Sequence, residues 1–302
     1  MLPFSRVTVI GLGLIGSSVA RAVHQYMPTV RVTGYDADPA VRERAREISL
    51  CDDIADTAGS AVIDADLVIL CVPVGAMGKA GEAIAADLPA DAIVSDVGSC
   101  KASVLAALSE AIPNACIIPA HPVAGTEHSG PDAGFATLFH QRWCIVTPPA
   151  EASETATVRV EEFWRRLGAN VERMDPQHHD LVLAVTSHLP HLIAYTIVGT
   201  ASDLETVTQS EVIKYSAGGF RDFTRIAASD PTMWRDVFLS NKDAVLDMLQ
   251  RFSEDLSALQ RAIRWDKGDE LFDLFSRTRT IRRSIIEQGQ DDAAADFGRH
   301  HD

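Results

Sequence analysis

The segment Val7-Thr-Val-Ile-Gly11-Leu12-Gly13-Leu14-Ile15-Gly16 restricts the start of the chain to very few folds. A β-branched run stops at one glycine, and two more follow at the third and sixth positions of the motif. Glycines so spaced turn a strand sharply into a helix and leave backbone N–H groups bare, so that a phosphate can rest on the helix N-terminus. A second strand ends in Gly34-Tyr35-Asp36, which puts a carboxylate 20 positions beyond Gly16. That is the placement of an acid bonded to ribose hydroxyls. The expected dinucleotide site is therefore Gly11, Leu12, Gly13, Leu14, Ile15, Gly16 and Asp36, with Val72 and Pro73 facing the nucleotide from the end of another strand. A carboxylate at position 36 repels a 2′-phosphate and favours NAD; Arg42 keeps NADP open. The plainer alternative is that the glycines mark only a tight turn and that Asp36 only caps a helix.

The first half alternates short strands with helical stretches, the pattern of a parallel sheet covered by helices. Strands are read at 6–10, 30–35, 66–72, 92–96, 116–119, 143–147 and 170–174, and helices at 15–26, 39–47, 75–87, 103–111 and 153–167. After about Asp175 the strand signals stop, and helices are expected at 177–200, 203–215, 218–229, 231–262 and 266–288. The fold class is thus α/β: a Rossmann-type parallel-sheet domain over residues 1–175, followed by an all-α domain over 176–302. A formal charge of −15 opposes binding to nucleic acid or to an anionic membrane surface. The five cysteines include no CxxC pair, which argues against a disulfide framework or a zinc site. The N-terminus enters a strand without the features of a signal peptide, so a cytoplasmic location is expected. No Asp, Glu, Lys or Arg occurs from Leu181 to Ser202; His188, Pro190 and His191 favour a buried helix there over a membrane span.

Several clusters could carry chemistry. His121-Pro-Val-Ala-Gly-Thr126-Glu127 follows a strand, so an imidazole, a hydroxyl and a carboxylate share one loop at the cofactor edge; an unperturbed histidine takes up protons near neutral pH. In Asp96-Val-Gly-Ser99-Cys-Lys101, Ser99 and Lys101 either cap the next helix or project toward the nicotinamide half. His188 and His191 share a helical face, but no third ligand is spaced to complete a metal site, and they read as polar lining of a cleft or as core histidines. Arg221 and Arg225, at i and i+4, could clamp a carboxylate bidentately or lie on a solvated helix face. Trp234, after Asp230-Pro231, either walls that pocket or packs in the core.

Taken together, GLGLIGSS at 11–18, SDVGSCK at 95–101, HPVAGTEHSG at 121–130, SHLPH at 187–191 and GGFRDFTRIAASDPTMW at 218–234 resemble the prephenate/arogenate dehydrogenase family of tyrosine biosynthesis. The resemblance covers about residues 6–286. It implies oxidative decarboxylation of prephenate to 4-hydroxyphenylpyruvate, or of arogenate to tyrosine, with hydride passing to NAD. It also implies that His121 draws the proton from the ring hydroxyl and that Ser99 holds His121 or that hydroxyl. Arg225 would bind the substrate carboxylate, with His191, Thr126 and Trp234 lining the pocket and Glu127 near its entrance. Arg221, where relatives often carry lysine, would reach the site of a partner subunit. A homodimer joined through the helical domain is implied as well. The rival readings are a β-hydroxyacid-type dehydrogenase, for which Lys214 is the candidate base, and a dinucleotide-sensing protein without catalysis.

Overall fold

The computed structural model describes residues 2–126, 128–208 and 218–287. Strands β1 (Arg6–Ile10), β2 (Arg31–Tyr35), β3 (Asp53–Ile54), β4 (Leu67–Leu70), β5 (Ile93–Asp96) and β6 (Cys116–Ile117) form a six-stranded sheet in the order β3-β2-β1-β4-β5-β6. Every pairing in it is parallel, with Val7 beside both Val32 and Leu67, and Ile93 beside both Leu67 and Cys116. Strands buried on both faces read as unbroken apolar runs, as Leu67-Val-Ile-Leu70 does. The two-residue period then sends Val7, Val9, Leu67 and Ile69 to one core and Ile10, Val68, Leu70 and Val94 to the other.

Helices α1 (Leu14–Tyr26), α2 (Pro39–Glu47), α3 (Ala58–Val62), α4 (Met77–Ile84) and α5 (Ala102–Ala111) connect these strands. Asp38 caps α2 through the Ala40 N–H at 2.8 Å, and Thr57 and Ser60 form a capping box on α3. The strand order reverses between β1 and β4, and in open α/β sheets ligands bind at the carboxyl ends beside that switch.

A second, three-stranded sheet holds β7 (Ala120–Pro122), β8 (Trp143–Val146) and β9 (Asn170–Arg173), with α6 (Glu154–Arg166) between the last two. The sequence reading placed 143–147 and 170–174 in a single parallel sheet and His121 on a loop; instead β7 runs antiparallel to β8, with His121 opposite Ile145. Pro119 falls between β6 and β7, and its carbonyl accepts from the Thr147 N–H at 2.9 Å, so there the chain leaves one sheet and enters the other.

All described elements beyond β9 are helical. Helix α7 (Pro176–Leu183), capped by Asp175, runs through a π turn (Ala184–His188) into α8 (Leu189–Thr208). After residue 217 come α9 (Gly218–Thr224), a 3-10 turn (Arg225–Ala228), α10 (Pro231–Ser240), α11 (Lys242–Arg264) and α12 (Gly268–Glu287). The helix read at 203–215 extends outside the described residues. The one read at 231–262 is broken at Asn241, whose side chain turns inward to bond the Asp180 carbonyl at 2.7 Å. The chain divides into two compact units, one ending at Val245 and the other beginning at Leu246.

Helix 176–203 is long and apolar enough to cross a membrane, and 22% of its most apolar window is buried. The expectation of a buried helix is corrected accordingly: Leu181, Val185, Ile197 and Val198 face outward.

Candidate active site

The glycine turn divides its three glycines by task. Gly11 has φ +96° and lies so close to β4 that a Cβ would meet the Cys71 carbonyl oxygen at 2.5 Å. A Cβ on Gly16 would fall 1.9 Å from the Gly11 carbonyl oxygen, whereas one on Gly13 would meet nothing within 4 Å. The open side of the turn is therefore at Gly13, where α1 begins with no side-chain cap and no acidic residue in its first turn. Uncapped N–H groups beside open space fit a pyrophosphate.

Asp36, at the end of β2, is half-buried and accepts from the Leu12 N–H at 2.8 Å and the Asp38 N–H at 2.9 Å. Each carboxylate oxygen keeps a second lone pair, so the residue both braces the turn and can accept from ribose hydroxyls. Arg42 donates to the Asp36 carbonyl at 2.7 Å and lies over the Tyr35 ring. The Leu12 side chain is fully buried, so only its backbone is available to the turn, while Leu14 and Ile15 pack partly against the core. Val72 and Pro73 follow β4, and a Cβ on Gly11 would lie 3.1 Å from a Val72 methyl carbon.

Beyond β5, the expectation that Lys101 faces the nicotinamide is overturned. Its ammonium is fully buried, paired with Asp96 and donating to the Ala120 carbonyl at 2.8 Å, because a buried charge needs partners on every side. Lys101 thus ties β5 to β7, the strand that carries His121.

His121 is 8% exposed, and burial, with His179, Lys101 and His188 nearby, depresses it well below the ordinary histidine range. It is uncharged at neutral pH, as a proton acceptor must be. Its Nδ1 lies 2.9 Å from His179 Nε2, and His179 Nδ1 lies 2.9 Å from Asp180 Oδ1. The hydrogen bond to His121 therefore runs to His179 rather than to Ser99, which is half-buried at the start of the turn into α5. Sequence reading passed over His179 and Asp180. The available signal was Asp175-Pro176, a cap and first turn that fix where α7 begins and hence which residues one turn later point inward.

His188, with no exposed surface, has Nδ1 3.1 Å from Asn241 Nδ2, and burial pushes it down to about 4. His191 donates through Nδ1 to the Ser187 carbonyl at 2.8 Å and stacks on Trp234 at 3.6 Å between centroids, 24° from coplanar. His188 meets the same indole edge-on at 6.1 Å. The Arg225 charge reaches His191 and, after burial, lowers its proton affinity.

A path of contacts thus leads from His121 through His179, Asp180, Asn241, His188 and Trp234 to His191, which feels the charge of Arg225. Arg221 and Arg225 do not share one α-helical face, because α9 ends at Thr224 and Arg225 opens a tighter 3-10 turn. Both are exposed, as is Thr126, whose hydroxyl accepts from the His128 N–H at 3.3 Å. Glu127 and Lys214 lie outside the described residues.

A Rossmann sheet with a bare glycine turn, an acid closing its second strand and a buried neutral histidine define an NAD-dependent dehydrogenase. The chain matches the prephenate dehydrogenase nucleotide-binding domain over residues 19–173 and the prephenate dehydrogenase dimerization domain over 175–277. It belongs to the prephenate dehydrogenase family. It is 46% identical to the cyclohexadienyl dehydrogenase of Zymomonas mobilis over 94% of this chain and 97% of that one. Prephenate dehydrogenase of Aquifex aeolicus, solved with hydroxyphenyl propionate and NAD+, superposes with a TM-score of 0.87 at 31% identity, covering 93% of this chain and 98% of that one. Arogenate dehydrogenase of Synechocystis gives a TM-score of 0.79 at 25% identity over 93% and 99%.

Proposed function

We propose that this protein oxidatively decarboxylates prephenate to 4-hydroxyphenylpyruvate, arogenate to tyrosine, or both, with NAD as oxidant. The observation that carries the reading is His121, buried and neutral on the strand that Lys101 ties to the carboxyl end of β5. Residues 1–175 hold the dinucleotide through the turn Gly11–Gly16, Asp36, Val72 and Pro73; residues 176–302 complete the substrate site and the dimer. Bound there, NAD supplies a hydride acceptor for the ring carbon that carries the substrate hydroxyl. His121 Nε2 takes the proton of that hydroxyl as the carbon becomes a ketone, and Ser99 orients the hydroxyl. The bond from the ring to its carboxylate then breaks, CO2 leaves, and the electron pair makes the ring aromatic while the oxygen regains a proton from His121. Arg225 holds the remaining carboxylate against the wall formed by His191 and Trp234, with Thr126 and Glu127 at the entrance; Arg221 serves the partner subunit's site.

A homodimer covers the outward apolar residues of α8 and of the second compact unit, among them Phe272, Phe275 and Ile281. Five free cysteines suit a reducing, cytoplasmic setting. Incubation of the full chain with NAD and either substrate is expected to yield reduced cofactor and CO2 in equal amounts. His121→Asn abolishes turnover while NAD affinity holds, and Arg225→Ala raises KM. Absence of turnover with both substrates, or full turnover in His121→Asn, overturns the proposal.

A further inference from the structure

We infer that His179 and Asp180 are positioning residues that lock His121 in the tautomer with hydrogen on Nδ1, leaving the Nε2 lone pair free to act as the base. This rests on the role proposed for His121 and adds to it two residues on α7. The polarity of the chain of bonds follows from its fixed end. Asp180 Oδ1 accepts from the Lys101 N–H at 2.7 Å and Oδ2 from the Ala102 N–H at 3.0 Å. Backbone amides can only donate, so the carboxylate stands as an acceptor on both oxygens; it also caps α5, which has no cap of its own.

His179 Nδ1, 2.9 Å from Oδ1, must then carry the hydrogen, because a bare nitrogen would set two lone pairs against each other. Its Nε2 is left as an acceptor, and 2.9 Å away His121 Nδ1 must in turn be the donor. The opposite polarity would put the hydrogen of His121 on Nε2 and abolish the base. The rings meet edge to face at 72°, which holds the His121 ring plane as well as its proton. Asn241, donating to the Asp180 carbonyl and close to His188, pins the end of α7 in place.

The charged and titratable groups around His121 are His179 and Asp180 on α7, Asp96 and Lys101 at β5 and α5, His188 in the π turn, and the Cys144 thiol on the neighbouring β8. Of these, Asp180 reaches His121 through a hydrogen-bonded path that can stabilise the imidazolium formed when the substrate proton arrives. Asp96, by contrast, is engaged with Lys101.

The test is the pH dependence of kcat and KM for wild type, His179→Phe and His179→Gln. Phe fills the space without accepting; Gln restores an acceptor. His179→Phe is expected to lower kcat about 10- to 100-fold, to leave KM for NAD within about twofold, and to move the acid limb of kcat/KM to lower pH, with partial recovery in Gln. A profile and kcat that match wild type in a folded Phe variant overturn the inference. Should the variants not fold, 15N spectra of the histidine-labelled wild-type protein decide it. A pyrrole-type Nδ1 and a pyridine-type Nε2 at both His121 and His179 support the relay, and hydrogen on His121 Nε2 refutes it. Failure of the base assignment itself would show separately, as turnover retained in His121→Asn.

Discussion

A histidine kept from water is a base only while the protein pays to keep it neutral, and here three of them, His121, His179 and His188, sit together with depressed proton affinity. In each case burial is the leading cause. For His188 the folded value is about 4 against an ordinary 6.5, so between those values the unfolded chain binds the proton and the folded one does not. Stability from this residue is complete above pH 6.5 and is lost as the pH falls toward 4, by roughly 3 kcal/mol at the acid end. Thermal unfolding should show Tm falling through that window. His188→Gln, which retains an acceptor for Asn241, should flatten the fall; an unchanged slope would remove His188 from the account. At this scale the sequence showed which histidines were unusual by their neighbours, as with His121 before Pro122 and His188 in a charge-free stretch. It hid His179 because its partner His121 is 58 positions away, and only the approach of α7 to β7 makes them a pair.

Secondary structure was legible wherever one local rule sufficed. Strand β1 and helix α2 have the bounds read from sequence, the first from its β-branched run and the second from Asp38-Pro39. Strand β3 and helix α3 were missed because two and five residues carry too little periodicity to read. The second sheet was missed because the turn at Pro119 depends on pairing with β8. The glycine turn permits a sharper test, since its glycines differ in what a methyl group would strike. Gly13→Ala, facing open space, should leave Tm unchanged and weaken NAD binding about tenfold, or about 1.4 kcal/mol. Gly16→Ala, at 1.9 Å from a carbonyl oxygen, should lower Tm as well. Calorimetry of both variants, with and without NAD, separates the two effects; equal losses of Tm would contradict the assignment.

For the molecule as a whole, the apolar surface of α8 makes assembly a question of water exclusion. Ile197→Glu, which places a charge on a residue 40% exposed in the single chain, should yield monomers in light scattering with the Rossmann half intact by NAD binding. A dimer of unchanged size would move the interface elsewhere. The π turn between α7 and α8 extends this to chain length. It amounts to about one residue beyond α-helical register, and each residue turns a helix by about 100°. Counted that way, His179 and His191 lie about 20° apart around the axis instead of about 120°. Removing the exposed Val185 would close the turn into regular α-helix and keep His191 and the outward apolar side chains of α8 facing as they do, while one residue more would swing both by about 100°. What this stretch absorbs is one surplus residue, so its loss should spare catalysis and assembly, whereas an extra residue between His188 and Leu189 should silence both in a single step.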